Sequence, residues 1–210
     1  MHASQPRQRH ETAIYVWGYV MRIVLLFSGG VDSVWLAHMA VAWGFRVDLL
    51  HVDYSHPASL SEAIAARKWW EQQDSDRITF TQIKAPILAP GMNTGSGTPG
   101  PRVVPGRNAI LVSLAVNRAA HIGAREVWIG CTAEDSAYPD CNLEWIEAQD
   151  KQAQAWGVRV VAPAIRFTRA HIVRQAALNG HDLDLAWSCY QPSDKGEPCG
   201  VCDSCLQGKA

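Results

Sequence analysis

The hexapeptide SGGVDS at 28–33 has the composition of an anion-binding turn. It follows an apolar run at 23–27 and precedes an amphipathic helical pattern at 34–40, which predicts a buried strand, a tight turn and the start of a helix. Two glycines let the backbone approach an anion closely, and the first turn of a helix offers N–H groups that lack partners. The lysine of the usual P-loop is absent, so a bend with a purely structural role is the alternative.

A second candidate ligand is Arg107, in the run VPGRN at 104–108. Pro105 and Gly106 predict a turn, and the pattern that follows predicts a long helix with Arg107 in its first turn. A cation is unfavourable at the positive end of a helix dipole unless an anion also lies there. Arg107 is therefore a candidate ligand for a phosphate or a carboxylate, whereas Asn108 is equally consistent with an ordinary helix cap.

The run EDSAYPDC at 134–141 concentrates three carboxylates, a tyrosine and a thiol directly after a predicted strand. Carboxylates in such a place can hold Mg²⁺ beside nucleotide phosphates, or accept hydrogen bonds from a base. The alternative is a solvated acidic turn in which Asp140 caps the next helix.

Four of the six cysteines lie near the C terminus, at Cys189, Cys199, Cys202 and Cys205. Two C-x₂-C spacings share Cys202, and four thiolates suit a closed, tetrahedral Zn²⁺ site of the structural kind. An iron–sulfur cluster could use the same thiols. Cys131 is predicted to be a buried strand residue.

These candidates are positioned by an alternation of strands and helices. The apolar patterns predict strands at 23–27, 46–52, 78–83, 126–131 and 158–162, separated by helices, and this order implies βαβ crossovers and a mainly parallel sheet. A stretch at 84–104 is rich in Pro and Gly and breaks the pattern, so it is either a substrate lid or an idle surface loop. The later helices are predicted at 59–73, 108–122, 142–156 and 168–179.

The chain has 210 residues, of which 48% are hydrophobic and 19% charged, with a formal net charge of −1. This composition is typical of a globular protein and gives no general electrostatic reason to bind nucleic acid or a membrane. No apolar run approaches the ~20 residues that span a bilayer. We expect a cytoplasmic protein with an N-terminal extension at 1–20, an α/β domain at 21–180 and a metal-binding segment at 181–210.

Four motifs in order resemble the 7-cyano-7-deazaguanine (preQ0) synthase branch of the PP-loop ATP pyrophosphatase superfamily. They are SGGVDS at 28–33, VPGRN at 104–108, YPDC at 138–141, and SCY followed by CGVCDSC at 188–205. The resemblance runs from about Met21 to Cys205. It implies a Rossmann-like five-stranded parallel sheet with a C-terminal zinc-binding subdomain. It also implies ATP-dependent conversion of 7-carboxy-7-deazaguanine and ammonia into the 7-cyano base, through an acyl-adenylate and an amide.

The implied cofactors are ATP, Mg²⁺ and one structural Zn²⁺. The implied partners are small-molecule substrates, and binding to nucleic acid or to a membrane is not expected. A homodimer is compatible with this interpretation. We assign catalysis to Asp32, Ser33 and Arg107, and expect Arg107, Asp135, Tyr138 and Asp140 to contact the substrate. The expected zinc ligands are Cys189, Cys199, Cys202 and Cys205. The expected ATP-binding residues are Phe27, Ser28, Gly29, Gly30, Val31, Asp32, Ser33 and Asp53.

The chain departs from the family pattern at two places. The family commonly has Gln-Arg-His after the second strand, where this chain reads DYSH at 53–56, and an arginine after YPDC, where Asn142 stands. Because two basic residues near the expected site are missing, a related ligase that joins the same acid to a different amine is an alternative function. Two further alternatives are an enzyme that adenylates a tRNA base, disfavoured by the near-neutral charge, and a regulatory protein without turnover, disfavoured by the intact SGGVDS.

Overall fold

The structure, a computed structural model, describes residues 15–16, 19–85, 87 and 104–206. Within them the chain alternates strands with helices, as the hydrophobic pattern predicts. The strands are β1 (Tyr15–Val16), β2 (Tyr19–Val20), β3 (Arg22–Leu26), β4 (Arg46–Asp53), β5 (Ile78–Lys84), β6 (Glu126–Trp128) and β7 (Arg159–Val161). The helices are α1 (Val31–Ala42), α2 (Ser59–Glu71), α3 (Arg107–Ile122), α4 (Leu143–Ala153), α5 (Arg169–Leu178) and α6 (Asp203–Leu206).

Five of the strands form one parallel sheet in the order β5-β4-β3-β6-β7. The chain moves outward from β3 to β4 and β5, then returns through α3 to β6 on the other side of β3. Parallel sheets of this kind bind ligands at the carboxyl ends of the strands, where the direction of winding reverses. The sheet therefore predicts a ligand crevice at the ends of β3 and β6. The short strands β1 and β2 pair only with each other among the described residues.

Side chains that alternate along the strands bury two cores, one on each face of the sheet. Leu25 and Leu49 face α1, α2 and α5, where they meet Trp69 and Ile172. On the other face, Val24, Leu50 and Val127 pack against α3 and α4. Helices thus cover both faces, which fits the fully apolar runs in the sequence and confirms the predicted Rossmann-like fold.

Several boundaries differ from those predicted. The strand expected at 126–131 ends at Trp128, and the helix expected at 142–156 ends as α-helix at Ala153 and continues as a 3₁₀ turn. The alternative that Asp140 caps α4 is wrong, because Asn142 is the cap and its side chain accepts from Trp145 N–H at 2.9 Å.

The alternative that Asn108 is a helix cap is also wrong. Gly106 occupies the N-cap position of α3 with φ 73°, and Asn108 lies inside the helix. Most of the stretch at 84–104 and most of the N-terminal extension at 1–20 lie outside the described residues, so the question of a lid stays a prediction. No described helix is both long enough and apolar enough to cross a membrane.

Candidate functional site

A cavity of about 260 Å³ lies at the carboxyl ends of β3, β4 and β6. It is bounded by the turn at 28–30, the first turns of α1, α3 and α5, and a C-terminal segment at 187–205 that we call the cysteine segment. Elements far apart in the sequence therefore meet at the edge of the sheet where the winding predicts a ligand. The sequence-predicted residues that line the cavity are Phe27, Ser28, Gly30, Val31, Asp32, Ser33, Arg107 and Asp135.

The turn between β3 and α1 has the geometry of an anion-binding loop. Gly29 has φ +81°, and a Cβ on it would lie 2.9 Å from the backbone nitrogen of Ala66 in α2, so only glycine fits. Ser33 Oγ donates to Gly30 O at 2.9 Å, and Gly30 N–H donates to Ser28 Oγ at 3.2 Å. Among the described residues, no side chain caps the start of α1. Its first-turn N–H groups are therefore available to an anion in the cavity.

Asp32, in the first turn of α1, is paired with an arginine that the sequence did not single out. One carboxylate oxygen accepts from Arg169 Nη2 at 2.8 Å, whereas Oδ1 is buried and has no partner among the described residues. Burial raises the pKa of Asp32 to about 6; the Arg169 cation opposes this rise, and the carboxylates of Asp135 and Glu134 add to it. The unpartnered oxygen is thus a polar group that a cation or a donor would satisfy.

Arg169 is held from both ends. Its guanidinium reaches Asp32, and its backbone N–H donates to the two carboxylate oxygens of Glu134 at 3.0 and 2.9 Å. Arg169 lies in the first turn of α5, where a cation is unfavourable unless an anion is nearby. The same argument made Arg107 a candidate ligand. The sequence could have revealed Arg169 by that argument.

Arg107 enters the cavity from the start of α3. Its Nη1 lies 3.5 Å from the hydroxyl of Tyr54, and its guanidinium carbon lies 5.9 Å from the centre of the Tyr54 ring. No carboxylate forms a salt bridge with Arg107 among the described residues. Burial raises the pKa of Tyr54, which keeps its hydroxyl neutral. Arg107 therefore lies at the cavity with no carboxylate within salt-bridge distance in that part of the chain, and the Asp140 carboxylate acts on its charge only from farther away.

Two cysteines also line the cavity, beside Arg107. Asn108 donates through Nδ2 to Cys141 Sγ and to Asp140 O, each at 3.1 Å, which ties α3 to the turn before α4. A hydrogen bond with Cys141 and burial raise the pKa of Cys131, so this thiol stays protonated. Cys131 is buried as predicted, but it lies beyond the end of β6.

Four predicted contacts do not line the cavity. Gly29 turns its backbone towards α2, and Asp53 accepts from Ser55 N–H at 2.9 Å with Lys84 at 4.0 Å. Tyr138 and Asp140 do not line the cavity themselves. Cys141, which follows Asp140 and whose N–H donates to Tyr138 O, does line it. Asn142, which replaces the family's arginine, is used as the cap of α4 and is likewise not a lining residue. The roles given to these residues stay predictions.

The sulfur atoms of Cys189, Cys199, Cys202 and Cys205 all lie within 4.8 Å of one another. Cys199 and Cys205 are 3.9 Å apart, close to the ~3.8 Å edge of a tetrahedron with Zn–S bonds of ~2.3 Å. Hydrogen bonds from the backbone N–H groups of Val201 and Cys202 lower the pKa of Cys199 to about 6. The four thiols are therefore arranged as a set that could hold a metal ion.

The cysteine segment also contacts the turn. Trp187 N–H donates to Gly29 O at 2.8 Å, and the Trp187 indole donates to Cys189 O at 2.7 Å. Trp187, Ser188, Tyr190 and Ser204 line the cavity. Sequence reasoning missed these residues, together with His51, Tyr54, Glu62 and Arg169.

Comparisons with known proteins agree with this geometry. The family described as "Queuosine biosynthesis protein QueC" matches residues 22–210. A 7-cyano-7-deazaguanine synthase of Ralstonia nicotianae is 35% identical over 203 residues, which cover 88% of this chain and 90% of that protein.

Two solved structures resemble the fold. The U34-tRNA thiolase NcsA of Methanococcus maripaludis, with its 4Fe–4S cluster, has a TM-score of 0.55 at 14% identity, over 84% of this chain and 62% of that one. NMN synthetase of Francisella tularensis has a TM-score of 0.51 at 18% identity, over 89% of this chain and 71% of the other. Identities this low bear on the fold alone. The match across residues 22–210 and the 35% identity to a full-length relative show that the chain belongs to the QueC family.

Proposed function

We propose that this chain is an ATP-dependent ligase that converts 7-carboxy-7-deazaguanine and ammonia into 7-cyano-7-deazaguanine. The relatives named 7-cyano-7-deazaguanine synthase support this activity. The observation that carries the proposal is that the SGGVDS turn, Arg107 and Asp135 line one cavity. Backbone groups suited to phosphate thus lie beside a cation suited to a substrate carboxylate.

ATP would lie with its phosphates at the start of α1. The N–H groups of the first turn, which no described side chain caps, and the Ser28 hydroxyl would donate to the phosphate oxygens; the Ser33 hydroxyl would do so after turning away from Gly30 O. Arg169, whose guanidinium lines the cavity beside Asp32, would add a positive charge. Because the turn has no lysine, these groups take over the electrostatic role that lysine has in a P-loop.

Mg²⁺ fits the acidic side of the cavity. The buried Oδ1 of Asp32 has no partner among the described residues, and Asp135 also lines the cavity, so these two carboxylates would hold the ion. The ion would neutralise charge on the phosphates when bound. The Asp135 Oδ2 atom is already used, since it accepts from Thr132 N–H and from the Thr132 hydroxyl.

Arg107 would orient the substrate. In the first step the substrate carboxylate attacks the α-phosphorus of ATP, and pyrophosphate leaves with the electron pair of the broken P–O bond. Ammonia then displaces AMP to give the amide and releases a proton. The amide oxygen then attacks the α-phosphorus of a second ATP, and a second pyrophosphate leaves. Loss of AMP with the C–O electron pair, and of the two N–H protons, gives the nitrile. The chain contributes position and charge stabilisation, with no covalent step on a side chain.

The remaining assignments rest on the family resemblance. We propose that Tyr138 and Asp140 contact the deazaguanine base, that Asp53 contributes to the nucleotide site, and that Cys189, Cys199, Cys202 and Cys205 hold Zn²⁺. The sulfur spacing supports the last of these. A cytoplasmic location and a homodimer are further parts of the proposal.

The product identifies the reaction. Purified protein should convert 7-carboxy-7-deazaguanine, ATP and ¹⁵N-ammonia into a ¹⁵N-labelled nitrile by mass spectrometry, with two pyrophosphates released per nitrile. Ser33→Ala should abolish pyrophosphate release, because it removes a donor from the turn. The matched control is Ser113→Ala, which removes an exposed hydroxyl from α3 and should leave turnover unchanged.

Two results would contradict the proposal. A stable acyl-adenylate that does not react with ammonia would indicate a ligase for a different amine. Pyrophosphate release that does not depend on the deazaguanine acid would indicate another substrate.

A further inference from the structure

His51, which lines the cavity, carries a buried nitrogen that has no hydrogen-bond partner among the described residues. The residue lies on β4, is 1% exposed and lines the cavity. Its Nδ1 lies 3.0 Å from Phe27 O, and its Nε2 has no hydrogen-bond partner among the residues that the structure describes. A buried polar atom left unpaired is destabilising, so such an atom at a ligand cavity indicates a group that the ligand satisfies.

The contact with Phe27 fixes which nitrogen carries the proton. A carbonyl oxygen can only accept, so Nδ1 must be the protonated nitrogen. Burial lowers the pKa of His51, which keeps the ring neutral near pH 7. Nε2 is then an acceptor that cannot donate, and a donor on a bound ligand would satisfy it.

The position of His51 relates it to the nucleoside rather than the phosphates. Asp32 packs against Gly130, which follows β6, and its partner Arg169 is on that side too. His51 lies across β3 from them, on the face covered by α2, where its ring lies 6.4 Å from that of Phe80. Glu62 also lines the cavity; its carboxylate lies 3.2 Å from His56 Nε2, and a carboxylate at this position would repel phosphate.

We propose that His51 Nε2 accepts a hydrogen bond from the nucleoside half of ATP, given by the 6-amino group of adenine or by a ribose hydroxyl. His51 is thereby a specificity-determining residue for the nucleotide. This inference rests on the proposed function, because it takes ATP as the nucleotide that enters the cavity.

The test compares nucleotide analogues with variants of His51. Dissociation constants are measured by calorimetry with Mg²⁺ for ATP, 2′-deoxy-ATP, 3′-deoxy-ATP and purine riboside triphosphate, which lacks the 6-amino group. The wild type should bind one of these analogues about 5- to 10-fold more weakly than ATP, the scale of one hydrogen bond. Each analogue lacks one donor, so the analogue that binds more weakly identifies the donor that His51 recognises.

Two variants separate the two nitrogens. His51→Asn keeps a donor near Phe27 O but removes the Nε2 acceptor, so it should bind ATP about 5- to 10-fold more weakly and no longer distinguish the sensitive analogue. His51→Gln keeps an acceptor near Nε2 and should recover part of the discrimination. His38→Asn is the matched control, because its ring stacks on His181 outside the cavity and its loss should leave nucleotide binding unchanged.

Three outcomes would overturn the inference. If the wild type binds all three analogues as tightly as ATP, no donor is recognised, and this result needs no variant. If His51→Asn folds and keeps the wild-type ratios, His51 does not make the contact and a resident water satisfies Nε2. Failure of the wild type to bind ATP at all would contradict the proposed function as well.

Discussion

Two helices bring an arginine to the cavity in their first turn, and the two arginines have opposite surroundings. Arg169 at the start of α5 is paired with Asp32 at 2.8 Å, and Glu134 accepts from its backbone N–H. Arg107 at the start of α3 meets only the neutral Tyr54 and Asn108 side chains among the hydrogen bonds of the described residues. The protein itself compensates the charge of Arg169, whereas Arg107 has no salt bridge with a described carboxylate, which is why we propose that a ligand meets its charge.

This difference divides the cavity into a paired side and an open side. The paired side contains Asp32, Arg169 and the turn, which the cysteine segment holds through Trp187 and Gly29. The open side contains Arg107 and His51, which line the cavity. We expect loss of Arg169, or of a cysteine in the segment that holds the turn, to lower stability and activity together. Substitutions on the open side should lower activity or binding alone.

The largest effect should come from loss of the Zn²⁺ that we propose for the four cysteines, whose segment holds the turn on the paired side. Cys202→Ser removes one thiolate from a closed four-ligand set, so we expect loss of bound zinc and a Tm lower by more than about 10 °C. Elemental analysis and thermal unfolding measure both. Cys131→Ser is the control, since it changes a buried thiol outside the cluster and should keep one zinc per chain. Iron in the wild type, or folded wild type without metal, would contradict the prediction.

Arg107→Ala should separate activity from stability on the open side. Turnover should fall by at least ~10²-fold, the scale for a lost charged contact in the transition state. The Tm should change by less than about 2 °C, because no carboxylate among the described residues loses its partner. Arg125→Ala, an exposed arginine, serves as control. If Arg107→Ala lowered the Tm but kept the activity, Arg107 would stabilise the fold and the prediction for the open side would be wrong.

A smaller, mixed effect is expected for the pair of Arg169 and Asp32. Arg169→Ala leaves a buried carboxylate without its cation, which should cost about 1–3 kcal/mol in the free energy of unfolding and about tenfold in turnover. Adding Asp32→Asn should restore stability but not activity. Unchanged stability of the single variant at pH 7.5 would show that the pair is not compensated as we describe.

The pH dependence of stability checks the same pair. The pKa of Asp32 is raised from 3.8 to about 6 in the folded state, so the folded protein binds this proton more tightly than the unfolded chain. Its contribution to stability is fully present below about pH 4 and is lost as the pH rises through about 6. In nucleotide-free protein, Asp32→Asn should therefore gain a few degrees of Tm relative to the wild type between pH 4 and 7. A constant difference across this range would contradict the raised pKa.

The sequence was sufficient for the parts of the molecule that local patterns determine. Apolar runs predicted the five parallel strands, and the turn at 28–33 and Arg107 were found because each begins a helix. Strand order was not predicted, since it depends on where α3 crosses the sheet. Arg169 carried the same signal as Arg107. His51 carried none, because a histidine inside an apolar strand is indistinguishable from a core residue until its unpaired nitrogen is located.

The contact between Trp187 and Gly29 also has a consequence for synthesis. The turn leaves the ribosome early, but the N–H that binds its carbonyl is encoded about 160 residues later. At ~5–20 residues per second, the turn waits roughly 8–30 s for that partner. A chain cut short before Trp187 would contain every strand of the sheet and still lack the group that holds the nucleotide turn in place. Such truncated chains should be less stable than the whole chain, because they also lack the four cysteines, and should not consume ATP.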